Sequence, residues 1–287
     1  MLDSHDKMRA ASRDWRRQGK SVGLVPTMGS LHSGHLSLVQ RARRQCDVVV
    51  ASIFVNPLQF APSEDLQQYP RDLEGDTAQL QQAGADALFT TTPGEMYPKS
   101  FQTRVVGGPL TEPLCGVSRP GHFNGVTTVV SKLFLLVAPS RAYFGQKDYQ
   151  QARILQQLVE DLNFDLQLVL CATVREPDGL AMSSRNLLLS PTDRPVAAKL
   201  YQALSRVREG FDAGLRDRQQ LEADGRRLLQ SGDLRLDYLE VREDHDFSTP
   251  DQLGESAVVL GAAFLGNTRL IDNLLLGQAN HRLDAEA

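Results

Sequence analysis

Ser21-Val22-Gly23-Leu24-Val25-Pro26-Thr27-Met28-Gly29-Ser30-Leu31-His32-Ser33-Gly34-His35 is the stretch on which the reading of the fold turns. Ser21–Pro26 reads as a strand, and the helical pattern of Leu36–Gln45 follows it across a turn that holds Gly29 and Gly34. A second strand, Asp47–Val55, comes next. Strand, helix, strand is a βαβ unit with parallel strands. The ligand crevice of an open parallel sheet lies outside the carboxyl ends of its strands, which places a ligand beside Pro26–His35.

The same rhythm continues outward. Glu74–Ala83 reads as a helix stopped by Gly84, Asp86–Thr91 as a strand and Phe123–Val137 as a helix. Arg141–Gly145, Tyr149–Leu162 and Asp165–Cys171 then read as strand, helix and strand. The expected fold is α/β, a doubly wound parallel sheet over residues 1–174. Beyond Val174 the pattern changes to helices at Pro191–Gly210 and Arg218–Gln230. Alternating runs follow at Leu234–Val241, Ser256–Leu265 and Thr268–Asp272. Residues 175–287 are therefore expected to form a smaller α+β domain with an antiparallel sheet, closing over the active site. Arg175–Asn186 is the expected hinge or loop between the two.

Bulk properties narrow the function. A chain of 287 residues with 41% hydrophobic and 23% charged side chains is long enough to bury a proper core. The net charge is −4 and the 31 basic side chains are scattered, which argues against an extended nucleic-acid partner. Cys46, Cys115 and Cys171 are far apart and in no CxxC pattern, as expected of a reducing compartment. Lys7–Lys20 reads as an amphipathic helix around Trp15 rather than a signal core, and Leu133–Ala138 is too short to span a bilayer. A cytoplasmic protein without a membrane partner is the expectation.

Four stretches carry chemistry. In the first, a helix amino terminus offers unpaired N–H groups to phosphate, and His32 and His35 can donate to phosphate oxygens. The competing account is a turn whose histidines merely cap the helix. In the second, Phe144-Gly145-Gln146-Lys147-Asp148-Tyr149-Gln150-Gln151, a lysine just past a strand end can reach phosphates and Asp148 can cap the next helix. Alone, Lys147 would read as a solvated charge. The third, Met182-Ser183-Ser184-Arg185-Asn186, offers hydroxyls and a guanidinium to a triphosphate. The fourth, Phe54-Val55-Asn56-Pro57-Leu58-Gln59-Phe60, offers neutral amides suited to hydroxyls and a carboxylate, unless Asn56-Pro57 is only an exposed turn.

With Tyr69-Pro70-Arg71, Arg119-Pro120-x-His122-Phe123-x-Gly125-Val126, Asp237-Tyr238-Leu239-Glu240 and Thr268-Arg269-Leu270-x-Asp272-Asn273, these motifs occur in an order that resembles the pantothenate synthetase family. The resemblance implies a Rossmann-like domain of the nucleotidyl-transferase superfamily. It also implies condensation of pantoate with β-alanine, with ATP as substrate, through an enzyme-bound pantoyl adenylate. By motif match, His32, His35 and Lys147 would be catalytic. Pro26, Thr27, Met28, Gly29, Gly145, Asp148, Val174, Met182, Ser183, Ser184 and Arg185 would complete the ATP site. Gln59, Gln151 and Asn56 would hold pantoate, Asp76 would lie in the environment of Mg²⁺, and the protein would be a homodimer. Gln146 stands where many members carry Glu, with intact flanks and no expected loss of activity.

The resemblance requires no general base for activation, because a carboxylate is already a nucleophile and a clamped triphosphate needs alignment and charge neutralisation. A related nucleotidyltransferase, which would leave the nucleotide on its product, is the main rival. An aminoacyl-tRNA synthetase is disfavoured by length and by the lack of a basic stripe. A non-enzymatic nucleotide-binding module would need no second substrate site.

Overall fold

Val22–Thr27 and Val48–Ile53 are near-continuous apolar runs rather than alternating ones, the signature of parallel strands covered on both faces. In the computed structural model, which describes residues 1–60, 66, 69–230 and 234–278, they become β1 and β2. Contacts divide the chain into two units, Met1–Gly145 with Gln150–Cys171, and Gln146–Tyr149 with Ala172–Ala287.

In the first unit, α1 (His5–Arg17) starts at Ser4, whose hydroxyl accepts from Lys7 N at 3.3 Å. It is followed by β1, α2 (Ser33–Gln45), β2, α3 (Leu73–Ala83) and β3 (Ala87–Thr90). Two single-turn helices, α4 (Pro93–Met96) and α5 (Cys115–Ser118), precede α6 (His122–Val137). Then come β4 (Arg141–Gly145), α7 (Tyr149–Asp161) and β5 (Gln167–Cys171). The sheet is parallel throughout in the order β3-β2-β1-β4-β5, so the chain reverses its direction of winding between β1 and β4. Separate apolar clusters form, one with Leu24, Val50, Phe134 and Leu155, the other with Val25, Val39, Val49 and Tyr143. The alternation of side chains along a strand sends Leu24 and Val25 to opposite faces.

In the second unit, α8 (Arg194–Asp212) and α9 (Arg218–Leu229) pack with an antiparallel sheet of β6 (Leu234–Glu243), β7 (Ser256–Leu265) and β8 (Thr268–Gly277). Their shared core includes Leu200, Leu204, Phe211, Leu239 and Val259. The last strand runs five residues past the expected end at Asp272. Asp272 and Asn273 read as a polar stop, yet both are buried and the strand carries on into Leu274–Leu276. Among the described residues no helix is long and apolar enough to cross a membrane.

Candidate active site

The carboxyl end of β1 runs straight into the His32 motif. Thr27 is buried and serves the scaffold, its Oγ1 donating to Ser52 O at 2.8 Å and accepting from Gly29 N at 3.2 Å. Gly29 has φ +83°, and a Cβ there would stand 2.9 Å from Asp76 Oδ2, so only glycine fits both the conformation and the space. Ser30 follows at φ 52°, a left-handed value for a residue with a side chain.

His32 is the N-cap of α2: its Nδ1 accepts from Gly34 N at 3.2 Å. Capping and phosphate binding are thus compatible rather than competing accounts. With Nδ1 accepting, the neutral ring carries its proton on Nε2, the atom that can donate to an oxygen. The His35 ring lies 4.1 Å away, centroid to centroid, so the two imidazoles act as neighbours on one turn.

After β2, a 3₁₀ turn over Pro57–Gln59 holds the fourth motif. The idea of an exposed Asn56-Pro57 turn is overturned, because Asn56 is 1% exposed. Its Nδ2 donates to Gln59 Oε1 and to Gly125 O, both at 3.0 Å. Its Oδ1 accepts from Tyr97 Oη at 2.8 Å and from Leu58 N at 3.3 Å. Those four bonds use both donors and both lone pairs of the amide, which makes Asn56 a support for Gln59. Gln59 in turn donates from Nε2 to Met28 Sδ at 2.9 Å, joining the two strand-end motifs.

The backbone of Gln59 is also gripped. Arg119 donates to Gln59 O at 3.2 Å and His122 Nδ1 donates to it at 2.8 Å, while a Cβ on Gly125 would strike Leu58 O at 2.2 Å. Arg119, His122 and Gly125 were visible as a motif, but nothing local showed that they serve a turn some sixty residues away. Tyr97, which donates to Asn56, lies in none of the motifs, and no signal in its neighbourhood marks it. On the first turn of α7, Gln150 is spent on structure: its Oε1 accepts from Cys115 N and its Nε2 donates to the carbonyls of Leu110 and Pro113. Gln151, beside it, is half-buried.

Asp76 lies in the first turn of α3 and is 3% exposed. Its Oδ2 accepts from Ser30 N at 2.8 Å and its Oδ1 from Leu31 N at 2.9 Å. A carboxylate so engaged and so buried does not match the hydrated octahedral surroundings that Mg²⁺ keeps. Among the described residues no group of three His, Cys, Asp or Glu is placed to hold a metal ion.

In the second unit, Gln146–Asp148 forms a 3₁₀ turn directly after Gly145, the last residue of β4. The Lys147 side chain is 18% exposed, too enclosed for an ordinary surface charge, and its Nζ lies 3.9 Å from Asp148 Oδ2. Asn273 on β8 fixes this turn. Its Nδ2 donates to Gln146 O at 2.8 Å and Lys147 O at 3.0 Å, and its Oδ1 accepts from Gln146 Nε2 at 3.0 Å. Next to it, Arg175 grips Asp272 with two bonds of 2.6 and 3.0 Å and stacks 4.2 Å over Tyr201. Burial pushes the Asp272 carboxyl up, and the guanidinium opposes that push.

The expected loop is a small hairpin. Met182 N donates to Val174 O at 3.0 Å and Glu176 N to Leu180 O at 2.9 Å. Ser183 then caps a 3₁₀ turn, Ser184–Leu188, by accepting from Arg185 N at 3.2 Å. The structure thus brings Pro26–His35, Asn56 and Gln59 together in one unit, and Lys147, Asp148, Val174 and Met182–Arg185 lie in the other.

Comparison with known proteins agrees with this architecture. The family model described as pantoate-β-alanine ligase matches residues 1–275. The pantothenate synthetase of Thermotoga petrophila is 48% identical, covering 96% of this chain and 99% of that protein. That of Pseudomonas putida is 51% identical over 94% and 95%. Among solved structures, pantothenate synthetase from Thermus thermophilus superposes with a TM-score of 0.89 at 48% identity, covering 96% of this chain and 99% of the other. The pantoate-β-alanine ligase of Francisella tularensis, solved with β-γ ATP and β-alanine, gives 0.79 at 35% identity, covering 95% and 96%. A chain with these motifs on this sheet, matched along nearly its whole length, belongs to the pantoate-β-alanine ligase family.

Proposed function

We propose that this ligase, which joins pantoate to β-alanine with ATP and yields pantothenate, AMP and pyrophosphate through a pantoyl adenylate, builds its adenylation centre on the carboxyl end of β1. The observation that carries the proposal is the adjacent His32–His35 pair, with ring centroids 4.1 Å apart, at the amino terminus of α2, beside the β1/β4 reversal. Two imidazole donors and a helix terminus there favour an anion, and they bind more strongly as charge builds on the α-phosphate. Lys147, two residues past β4, adds a compact cation. Met28, Gly29, Gly145 and the Ser183-Ser184-Arg185 turn complete the ATP contacts.

Pantoate is held by Gln59 and Gln151. An amide donor fixes a carboxylate or hydroxyl without pinning both oxygens, so one carboxylate oxygen keeps its lone pair for attack on phosphorus. The pyrophosphate leaves with the bonding pair. In the second step the unprotonated amine of β-alanine attacks the acyl carbon and AMP departs. A Mg²⁺ ion arriving with ATP would supply charge neutralisation to the triphosphate. The enzyme works in the cytoplasm, as its scattered, unpatterned cysteines favour, and as a homodimer, as the family resemblance implies.

Product analysis with ATP, pantoate and β-alanine tests the overall reaction: AMP and pantothenate should appear in equal amounts. Pantoate-dependent ATP–pyrophosphate exchange without β-alanine tests the two-step route. Overall activity without exchange would refute a reversible adenylate.

A further inference from the structure

Ser30 and Leu31 present consecutive backbone N–H groups to a single carboxylate from α3, forty-five residues on in the chain. Asp76 Oδ2 accepts from Ser30 at 2.8 Å and Oδ1 from Leu31 at 2.9 Å, and the residue is 3% exposed. The bonds hold the backbone at the end of its left-handed stretch, Gly29 (φ +83°) and Ser30 (φ 52°). A left-handed serine is disfavoured by its Cβ and persists only when its surroundings over-determine it. Asp76 supplies that determination. The carboxylate is itself fixed, because Asp76 N donates to Asp72 O at 2.9 Å and Asp72 caps α3 through Gly75 N at 2.9 Å. His32 follows Ser30 by only two residues.

We infer that Asp76 is a positioning residue for adenylation: it holds the Gly29–Ser30 turn in its left-handed form and so aims His32 and the amino terminus of α2 at the phosphates. The inference rests on the reading of Gly29, His32 and His35 as phosphate-site residues. It gives Asp76 a different task from the Mg²⁺ role that the resemblance implies, because both oxygens are directed at the protein backbone.

The test is a double-mutant cycle between Asp76→Asn and Ser30→Gly, read by pantoate-dependent ATP–pyrophosphate exchange across a Mg²⁺ titration. An asparagine keeps the shape but turns an NH₂ towards one of the two N–H donors. Exchange at saturating ATP should fall roughly ten- to a hundredfold. The Mg²⁺ concentration for half-maximal rate should stay within twofold. Ser30→Gly alone should change exchange less than twofold, since the clamp already holds the turn. In the Asp76→Asn background Ser30→Gly should restore about fivefold, because glycine adopts φ 52° at no steric cost. A general loss of folding would not be repaired by this one substitution.

Should Asp76→Asn prove unstable, Ser30→Val in the parent serves instead. A β-branched residue at this φ should lower exchange at least tenfold with the Mg²⁺ midpoint unmoved. A tenfold shift of that midpoint in Asp76→Asn, with full rate recovered at high Mg²⁺, would overturn the clamp in favour of a metal ligand. Additive effects in the cycle would overturn it as well. His32→Ala, assayed in parallel, separates the two layers. If it leaves exchange intact, the phosphate reading fails; if it lowers exchange while Ser30 and Asp76 stay uncoupled, only the clamp fails.

Discussion

The side-chain amide of Asn273 donates to the backbone carbonyl of Lys147 at 3.0 Å, so the position of the lysine proposed to act in adenylation depends on a residue 126 places later. Asn273→Ala should lower the adenylation rate roughly tenfold while weakening ATP binding much less, because the turn loses its three bonds to that amide and the lysine loses its aim. Single-turnover kinetics beside ATP calorimetry check this split. Equal losses in both would mean that Asn273 supports folding alone.

Lys147→Ala should be more severe. A cation aimed at transition-state charge is worth roughly 3 kcal/mol, or about two orders of magnitude in rate. A drop of less than threefold in single-turnover adenylation would remove Lys147 from the chemistry despite its enclosure.

Gln151→Glu exchanges a donor for a negative charge at nearly constant shape. Pantoate KM should rise at least tenfold and ATP affinity should change little. Calorimetry with each substrate decides the matter: a variant that binds pantoate as the parent does would send the acid pocket elsewhere.

Tyr97→Phe removes the hydroxyl that donates to Asn56 Oδ1. Asn56 keeps its bond from Leu58 N, so the loss of stability should be about 1 kcal/mol. The functional effect should fall on pantoate, since Asn56 holds Gln59, which is proposed to bind the acid. A rise in pantoate KM without a matching rise for ATP is the expected result, and a rise for ATP alone would contradict it.

Arg194 on α8 bonds Asp178 at 2.8 Å and also pairs with Glu176, bracing the hairpin before Ser183. The Arg194 bond holds the Asp178 carboxyl below its ordinary value. Burial raises Glu176, but bonds from Arg194 and Asn186 outweigh it and leave that group lowered too. Depressed carboxylates contribute stability above their ordinary range and lose it as pH falls through the lowered values. For partly exposed pairs the contribution is small. Arg194→Met should therefore cut hydrogen-exchange protection of the Glu176 and Met182 amides roughly threefold at neutral pH. The difference from the parent should shrink as the carboxylates protonate in acid. A difference that persists there would mean that Arg194 acts through packing.

The strands and most helix limits were written in local sequence. Val48–Ile53 is too uniformly apolar for a half-exposed strand, Arg141–Gly145 ends where it reads as ending, and α3 stops at Gly84 as its composition says. Those features depend on near neighbours and on a period of two or 3.6, which a single chain displays. The motif positions at strand ends were legible for the same reason, and with them the family. Only the tertiary structure decided which polar side chains are spent on the protein itself. Asn56 and Gln59 look alike in sequence, yet burial spends all four bonds of Asn56 on the scaffold. Asp76 reads as a free carboxylate until Ser30 and Leu31 are folded against it. Asn273 belongs to a polar pair that looks like the end of a strand, but β8 runs on and seats it under Lys147. A hydrogen bond satisfied by a partner tens of residues away leaves no periodic trace, because its geometry is set by the packing of whole elements.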